Sequence, residues 1–196
     1  MGGTAAPARQ VEHGFETPEP GSRRRPFTFT SLPGAKRLEL IIKIYEKHDG
    51  VTKQLGLLHT GDELLLHDVF GAIQYKGPGF FIAGGAGVTP FIAILRHLHE
   101  KKQLRGNTLL VSNRTADDVI LDDEFTKLLG KRFLKVFTRQ HVIGFHERRI
   151  DRDTLITLVQ NFDQHFYVCG PDDFVKDMNA MLLTLGAKSE SLVFEQ

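Results

Sequence analysis

Residues 79–98, GFFIAGGAGVTPFIAILRHL, decide the fold of this chain. The apolar run 80–83 predicts a short buried strand, and the glycine-rich segment Gly84–Gly87 predicts a tight turn. Thr89 and Pro90 are residue types favoured as the N-cap and the first residue of a helix. The apolar residues that follow recur at a spacing that lets this helix pack on a sheet: Phe91, Ile92, Ile94, Leu95 and Leu98.

The glycine turn is a candidate phosphate site. Glycines let the backbone approach a ligand closely, and free N–H groups at the start of a helix attract an anion. The spacing departs from the dinucleotide fingerprint G-x-G-x-x-G, because Pro90 occupies the position of the third glycine. A tight strand-to-helix connection that binds no ligand is the alternative for this stretch taken alone.

Length and composition narrow the class of protein. The chain has 196 residues, 41% of them hydrophobic, which suffices for one large domain or two small ones. Its formal net charge of +1 gives no electrostatic reason to expect nucleic-acid binding. Cys169 is the single cysteine, so no internal disulfide and no four-thiolate cluster can form within the chain. Because no apolar run could span a bilayer and residues 1–12 lack a signal-peptide core, we expect a cytoplasmic protein.

Three regions follow one another along the chain. Residues 1–22 are rich in Gly, Ala and Pro and predict a loose leader, and residues 23–75 are rich in β-forming residues. From residue 76 onward strands alternate with helices, which predicts a parallel sheet covered by helices on both faces. The predicted strands are 27–30, 38–45, 63–69, 80–83, 107–112, 133–138, 165–169 and 192–194. The predicted helices begin near residues 50, 89, 121, 151 and 171, and a polar loop is expected after residue 138.

Five motifs occur in order: RPFTFTS at 25–31, DGVT at 49–52, GGAGVTP at 84–90, CGPDDF at 169–174 and FEQ at 194–196. In this order and spacing they closely resemble the ferredoxin–NADP reductase superfamily of flavin-dependent NAD(P)H oxidoreductases. The resemblance implies an α/β NAD(P)-binding domain at 76–196, preceded by a partial antiparallel β-barrel at 23–75 that binds flavin. It also implies FAD, with FMN as the alternative, and NADH or NADPH as cofactors.

On the flavin side, the resemblance implies that Arg25 and Pro26 contact the flavin, with the Arg25 guanidinium pairing with its phosphate. It implies that Phe27 stacks on the isoalloxazine ring and that Thr28 bonds to N5, the atom that accepts the hydride. Phe27 replaces the tyrosine usual in the family, so stacking is kept and the hydrogen bonds of the phenol are lost. The plainer alternatives are a surface arginine, a core aromatic and a strand threonine.

The resemblance also implies a second phosphate cradle, made by Gly50, Val51 and Thr52 at a helix start. Tyr45 would stack on the adenine of FAD. Without the resemblance, Tyr45 is an edge-strand tyrosine and Asp49-Gly50 is an ordinary turn.

The nicotinamide nucleotide is expected at the glycine turn and at the carboxyl edge of the parallel sheet. The resemblance places Cys169 beside the reacting nicotinamide carbon and Phe194 near the flavin. The alternatives are a small buried hydrophobic residue for Cys169 and a frayed end for the C-terminal FEQ. The residues implied to hold this nucleotide are Gly84, Gly85, Ala86, Gly87, Thr89, Pro90, Gly170 and Pro171.

Asn113 and Arg114 follow the strand 107–112, at a position where NAD sites often carry an acidic residue for the ribose diol. Arg114 could accept the 2′-phosphate of NADPH, or it could be a solvated loop arginine. The segment SNRTADDVIL resembles that of NADH-using cytochrome b5 reductases and so favours NADH slightly.

No metal site is expected. His97 and His99 point to different faces of a helix, and His146-Glu147 lacks the second histidine of HExxH. The basic segment 139–149 could steer an acidic electron carrier, although such charge runs are more often solvated surface.

The expected activity is that of an NAD(P)H-dependent flavin oxidoreductase that passes electrons to a separate redox protein, such as ferredoxin, flavodoxin or a cytochrome, or to a partner subunit. Only about three strands are predicted before residue 76, too few to close a barrel. The leader could contain weak strands at 11–15, another copy or chain could complete the sheet, or the chain could begin downstream of a longer ancestral start. The alternative functions are an NAD(P)-binding module without turnover and a non-catalytic interaction domain.

Overall fold

The chain is described by a computed structural model over residues 10–13, 25–46, 50–64, 66–71, 73–139, 146–147 and 149–194. Asp49, Glu195 and Gln196, which belong to predicted motifs, lie outside the described residues. Arg25 is described by its backbone alone.

The N-terminal part contains a three-stranded antiparallel sheet. Its strands are β1 (Gln10–His13), β2 (Arg25–Thr28) and β3 (Leu66–Phe70), and β1 pairs with both of the others. The short helix α1 (Val51–Leu55) lies between β2 and β3 in sequence. The expectation of a leader without regular structure is therefore wrong at β1. The strand near residue 11 agrees instead with the alternative that the leader contains weak strands.

The expected strand at 38–45 does not form, apart from an isolated bridge between Phe29 and Leu40. The residues beyond the bridge instead turn toward the α/β part of the chain. Ile41 packs against the core of that part, and Lys43 pairs with Asp118 at 2.7 Å. These tertiary contacts override the local β-propensity of the segment.

The C-terminal part is a six-stranded parallel sheet in the order β7-β6-β5-β4-β8-β9. Helices cover both faces of this sheet. Alternate residues of β4 accordingly lie in two different cores, Phe81 and Ala83 in one and Phe80 and Ile82 in the other. The strands are β4 (Gly79–Gly84), β5 (Thr108–Asn113), β6 (Phe133–Phe137), β7 (His146–Glu147), β8 (His165–Cys169) and β9 (Leu192–Phe194). The helices are α2 (Thr89–Glu100), α3 (Asp122–Leu129), α4 (Arg152–Leu158) and α5 (Asp172–Thr184).

Three local expectations need correction. The glycine turn is a short 3₁₀ helix, Gly85–Val88, which runs directly into α2, so the N-cap is Val88 and not Thr89. The Thr89 hydroxyl donates instead to the Ala86 carbonyl at 3.0 Å. The polar loop after β6 contains the edge strand β7, and Pro171 is the N-cap of α5, not its first helical residue.

The linker between the two parts is held by a buried tyrosine. The Tyr167 hydroxyl accepts hydrogen bonds from the N–H groups of Lys76 (2.9 Å) and Gly77 (3.0 Å) and donates to the Gly77 carbonyl (2.7 Å). Burial raises the pKa of Tyr167 to about 12. This contact fixes the point at which the chain enters β4.

Candidate functional site

A cavity of about 680 Å³ opens at the carboxyl edge of the parallel sheet, between that edge and the N-terminal part of the chain. A cavity of this size lies within the range of about 300–1,000 Å³ that small-molecule sites occupy. The predicted site residues that line it are Pro26, Phe27, Thr28, Tyr45, Thr52, Gly84, Gly85, Ala86, Gly87, Thr89, Pro90, Asn113, Arg114, Cys169, Gly170 and Pro171. The structure thus brings residues of the motifs at 25–31, 49–52, 84–90 and 169–174 to one place.

Three predicted residues whose positions are fully described do not line the cavity: Gly50, Val51 and Phe194. Gly50 and Val51 lie at the start of α1, next to Thr52, which does reach the cavity. Phe194 is in β9 beside Val168, where it packs against the core formed with α4 and α5. Phe194 therefore does not line the cavity, and its place near the flavin stays a prediction.

The N-terminal wall of the cavity is formed by the end of β2 and by the segment around residue 42. Thr28 is only 5% exposed, and Phe27 beside it is half-buried. Ile41 and Ile42 add an apolar surface to this wall, whereas Tyr45 is 45% exposed at its margin. This wall thus pairs a buried hydroxyl with an aromatic ring, which suits a flat heterocycle.

The opposite wall is the 3₁₀ turn after β4. Two of its positions require glycine, for different physical reasons. Gly85 has φ +55 and no atom within 4 Å of the position that a Cβ would take, so its backbone conformation selects glycine. At Gly87 a Cβ would lie 2.3 Å from the Cys169 carbonyl oxygen and 2.6 Å from the Gly170 nitrogen. Gly87 is therefore required because the turn packs directly on the end of β8.

A third side of the cavity lies at the end of β5. The Asn113 side-chain amide donates to the Asp118 carbonyl at 2.7 Å, so this amide holds its own loop in place. The Asp118 carboxylate accepts from the N–H and the hydroxyl of Thr115 and pairs with Lys43. The hydrogen bond from Lys43, followed by that from Thr115, holds the pKa of Asp118 below its usual range.

Some lining residues were not predicted from the sequence. Lys43 and Asp118 face each other across the two parts of the chain, and no local motif marks either of them. The acidic pair after Asn113 was the available signal for Asp118. The other unpredicted lining residues are Ile41, Ile42, Ser112, Thr138 and Phe174.

Metal-binding clusters and membrane-spanning helices are both absent from the described part of the chain. Its histidine, cysteine and acidic side chains form no group of three that could hold a metal ion. Its helices include none with the length and apolar character of a membrane span.

Residues 81–180, which contain the glycine turn and the end of β8, match the family described as Oxidoreductase NAD-binding domain. The chain belongs to this NAD-binding oxidoreductase family. The match begins within β4 and ends within α5, so it covers most of the parallel sheet and the two sides of the cavity formed by the glycine turn and the end of β5.

Several known proteins are similar to this NAD-binding chain in sequence or in fold. It is 35% identical over 175 residues to an NADH-cytochrome b5 reductase 1 of Laccaria bicolor, covering 81% of this chain and 56% of that protein. Its fold matches the FAD/NAD-binding domain of a nitric oxide dioxygenase from Vibrio cholerae, with TM-score 0.82, 19% identity, and coverage of 100% and 85% of the two chains. A ferredoxin NADP⁺ reductase from Neisseria gonorrhoeae, solved with bound FAD and NADP, has TM-score 0.76, 21% identity, and coverage of 95% and 85%.

These findings confirm the ferredoxin–NADP reductase-like superfamily and the α/β NAD(P)-binding fold that the sequence predicts. The expected nicotinamide nucleotide agrees with the NAD-binding family that the chain matches. The NAD-binding chain spans less than two thirds of the length of the curated relatives that it matches.

Proposed function

We propose that this chain transfers hydride from NADH to FAD within the cavity and passes the electrons to a separate redox protein. The observation that carries the proposal is the meeting of the two motif sets: Phe27 and Thr28 on one wall, Gly84–Gly87 and Cys169 on the other. When bound, the two cofactors supply the redox chemistry, and the chain supplies binding, orientation and exclusion of water.

The glycine turn fits the pyrophosphate of a nicotinamide nucleotide. No described side chain caps the 3₁₀ helix at Gly84, so the N–H groups at its start are open to an anion. The turn continues into the twelve residues of α2, whose dipole adds to the attraction. Gly85, with open space around its α-carbon, lets a phosphate come close to the backbone.

On the other wall, the proposed roles follow from side-chain chemistry. Phe27 offers a ring face to the flavin, and the buried Thr28 hydroxyl is the polar group placed to bond to its N5 atom. Cys169, 8% exposed at the end of β8, would pack against the nicotinamide and help to exclude water there. Arg25 remains the proposed partner of the flavin phosphate.

We propose NADH as the preferred donor. The Asp118 carboxylate, which pairs with Lys43 at 2.7 Å, lies at the cavity edge with Asn113 and Arg114, where it can accept from a ribose hydroxyl, whereas a 2′-phosphate would meet this acid. Arg114 is exposed at the same edge and would favour NADPH. The ratio of kcat/KM for NADH and NADPH measures whether the charge of Asp118 or that of Arg114 dominates. We expect NADH to be preferred.

The proposal is tested by loading the purified chain with FAD and following NADH oxidation with a small artificial electron acceptor. We expect FAD to be retained and NADH to be oxidised in the presence of the acceptor. A second candidate function is an NAD(P)-binding module without turnover, favoured by the three strands of the described N-terminal sheet. That function predicts NADH binding without retention of FAD.

A further inference from the structure

Arg96 lies on α2, the helix that continues from the glycine turn, and its side chain is 21% exposed. Its guanidinium binds Glu124 of α3 through two parallel hydrogen bonds, from Nε to Oε1 at 2.6 Å and from Nη2 to Oε2 at 2.8 Å. Such a paired contact between planar groups fixes the orientation of the guanidinium as well as its position.

The remaining nitrogen of this guanidinium reaches the N-terminal part of the chain. Arg96 Nη1 donates to the Thr30 carbonyl at 2.9 Å and to the Glu39 carboxylate at 2.5 Å. Thr30 and Glu39 are themselves joined, because the Thr30 hydroxyl donates to Glu39 Oε1 at 2.7 Å and the Thr30 N–H donates to the Glu39 carbonyl at 2.8 Å. One arginine therefore holds both ends of the 30–39 loop.

Both ends of this loop lead into the wall of the cavity. Thr28 precedes Thr30 at the end of β2, and Ile41 follows Glu39. On its own side, Arg96 belongs to the helix that carries Thr89 and follows the glycine turn. The contacts of Arg96 thus connect the wall that contains Thr28 to the wall that contains Gly84–Gly87.

We propose that Arg96 is a positioning residue for hydride transfer, because its guanidinium sets the separation of the two cavity walls. The inference rests on the proposed function. Each wall keeps its own binding groups when Arg96 is lost, so each cofactor should still bind separately. The transfer step should suffer, because a displacement of about 1 Å between reacting groups can lower a rate by about 100-fold.

The test compares two variants with a matched control in the FAD-loaded chain. Arg96→Met removes the whole contact, and Glu39→Ala removes only the carboxylate on the N-terminal side, at a half-exposed residue. Asp163→Ala is the control, because it deletes the carboxylate of another ion pair, to Lys188 at 2.8 Å, within the C-terminal part. Stopped-flow measurement gives the limiting rate of flavin reduction at saturating NADH, and titration gives the dissociation constant of NADH.

We expect the limiting rate to fall about 10- to 100-fold in Arg96→Met, and by a smaller factor in Glu39→Ala, with NADH affinity changed less than about threefold. Asp163→Ala should match the unmodified chain. Amide hydrogen exchange should be faster over residues 25–43 in Arg96→Met and unchanged in β4 and β8. If Arg96 only stabilised the fold, its loss would not lower the limiting rate of flavin reduction while leaving NADH affinity nearly unchanged.

An unchanged limiting rate in Arg96→Met, or a fall that follows NADH affinity, would overturn the inference. So would unchanged hydrogen exchange over residues 25–43. If NADH does not reduce the flavin of the unmodified chain, the proposed function fails by itself, and hydrogen exchange then decides whether Arg96 joins the two walls.

Discussion

Substitution of Gly87 by alanine should damage both the fold and the nucleotide site, because the added methyl has no space. It would lie 2.3 Å from the Cys169 carbonyl oxygen and 2.5 Å from the Cys169 carbonyl carbon, and all of these atoms are backbone. Ordinary contact begins at 3.4 Å, so the turn and the end of β8 must separate by roughly 1 Å.

The cost of this separation follows from overpacking in cores, which typically destabilises by about 1–3 kcal/mol. For a chain of this length, a loss of about 2–3 kcal/mol lowers the thermal midpoint by roughly 5–10 °C. Because the displaced turn carries the proposed phosphate site, NADH affinity should fall as well.

The control for Gly87→Ala is Gly130→Ala. Gly130 also belongs to the C-terminal part, but it has φ +55 and ψ −124 and no atom within 4 Å of the Cβ position, so backbone strain of about 1–3 kcal/mol is expected without any displacement of the nucleotide site. Thermal unfolding followed by circular dichroism and NADH titration followed by fluorescence measure both effects. A Gly87→Ala chain that unfolds no earlier than Gly130→Ala and binds NADH normally would show that the contact between the turn and the end of β8 does not require glycine at residue 87.

Three further predictions concern single side chains. Lys43→Met should lower stability by about 1 kcal/mol at neutral pH. This difference in stability should vanish as the pH falls through the lowered pKa of Asp118, below the ordinary 3.8. At that pH Asp118 is protonated, so neither chain has the ion pair. A difference that persists in thermal unfolding at acid pH would contradict this. Stability should fall by about 1.4 kcal/mol per pH unit between the ordinary tyrosine pKa of 10.0 and the raised value of about 12, because only the unfolded chain ionises Tyr167 there. In Tyr167→Phe the alkaline slope should be shallower by this amount, with the part due to the raised pKa of Tyr75 retained, and an unchanged slope in denaturant titrations would assign it to another group. Thr28→Ala should slow flavin reduction by NADH about 10- to 100-fold while Thr28→Ser stays within about threefold of the unmodified rate, and equal stopped-flow rates in all three chains would remove the N5 role.

The central part of the fold was predictable because its signals are local. Phe80–Ala83 is an unbroken apolar run followed by glycines, and it forms the buried strand β4 and the turn after it. Gly130 and Gly186 mark helix ends at positive φ, as glycines there commonly do. The placement of Thr28 and Cys169 on one cavity rests on the order of the motifs, since spacing along a chain does not by itself reveal contacts.

The remaining features depend on contacts between distant residues. The segment 38–45 has the composition of a strand. In the structure, however, Ile41 packs against the core of the C-terminal part, and Lys43 pairs with Asp118, 75 residues away in sequence. Thr89 has the residue type of an N-cap, yet the 3₁₀ turn before it leaves no free helix start there. No local motif marks Arg96 in the sequence, and only the folded chain brings Thr30 and Glu39 to its guanidinium.

The most direct test of hydride transfer within this cavity is an anaerobic stopped-flow experiment on the FAD-loaded chain, with NADH and with NADH deuterated at the transferred position of the nicotinamide. We expect the visible flavin absorbance to bleach in a single turnover and deuterium to slow the bleaching. A chain that binds NADH and FAD but shows no bleaching would contradict hydride transfer within this cavity, as would a chain that does not retain FAD.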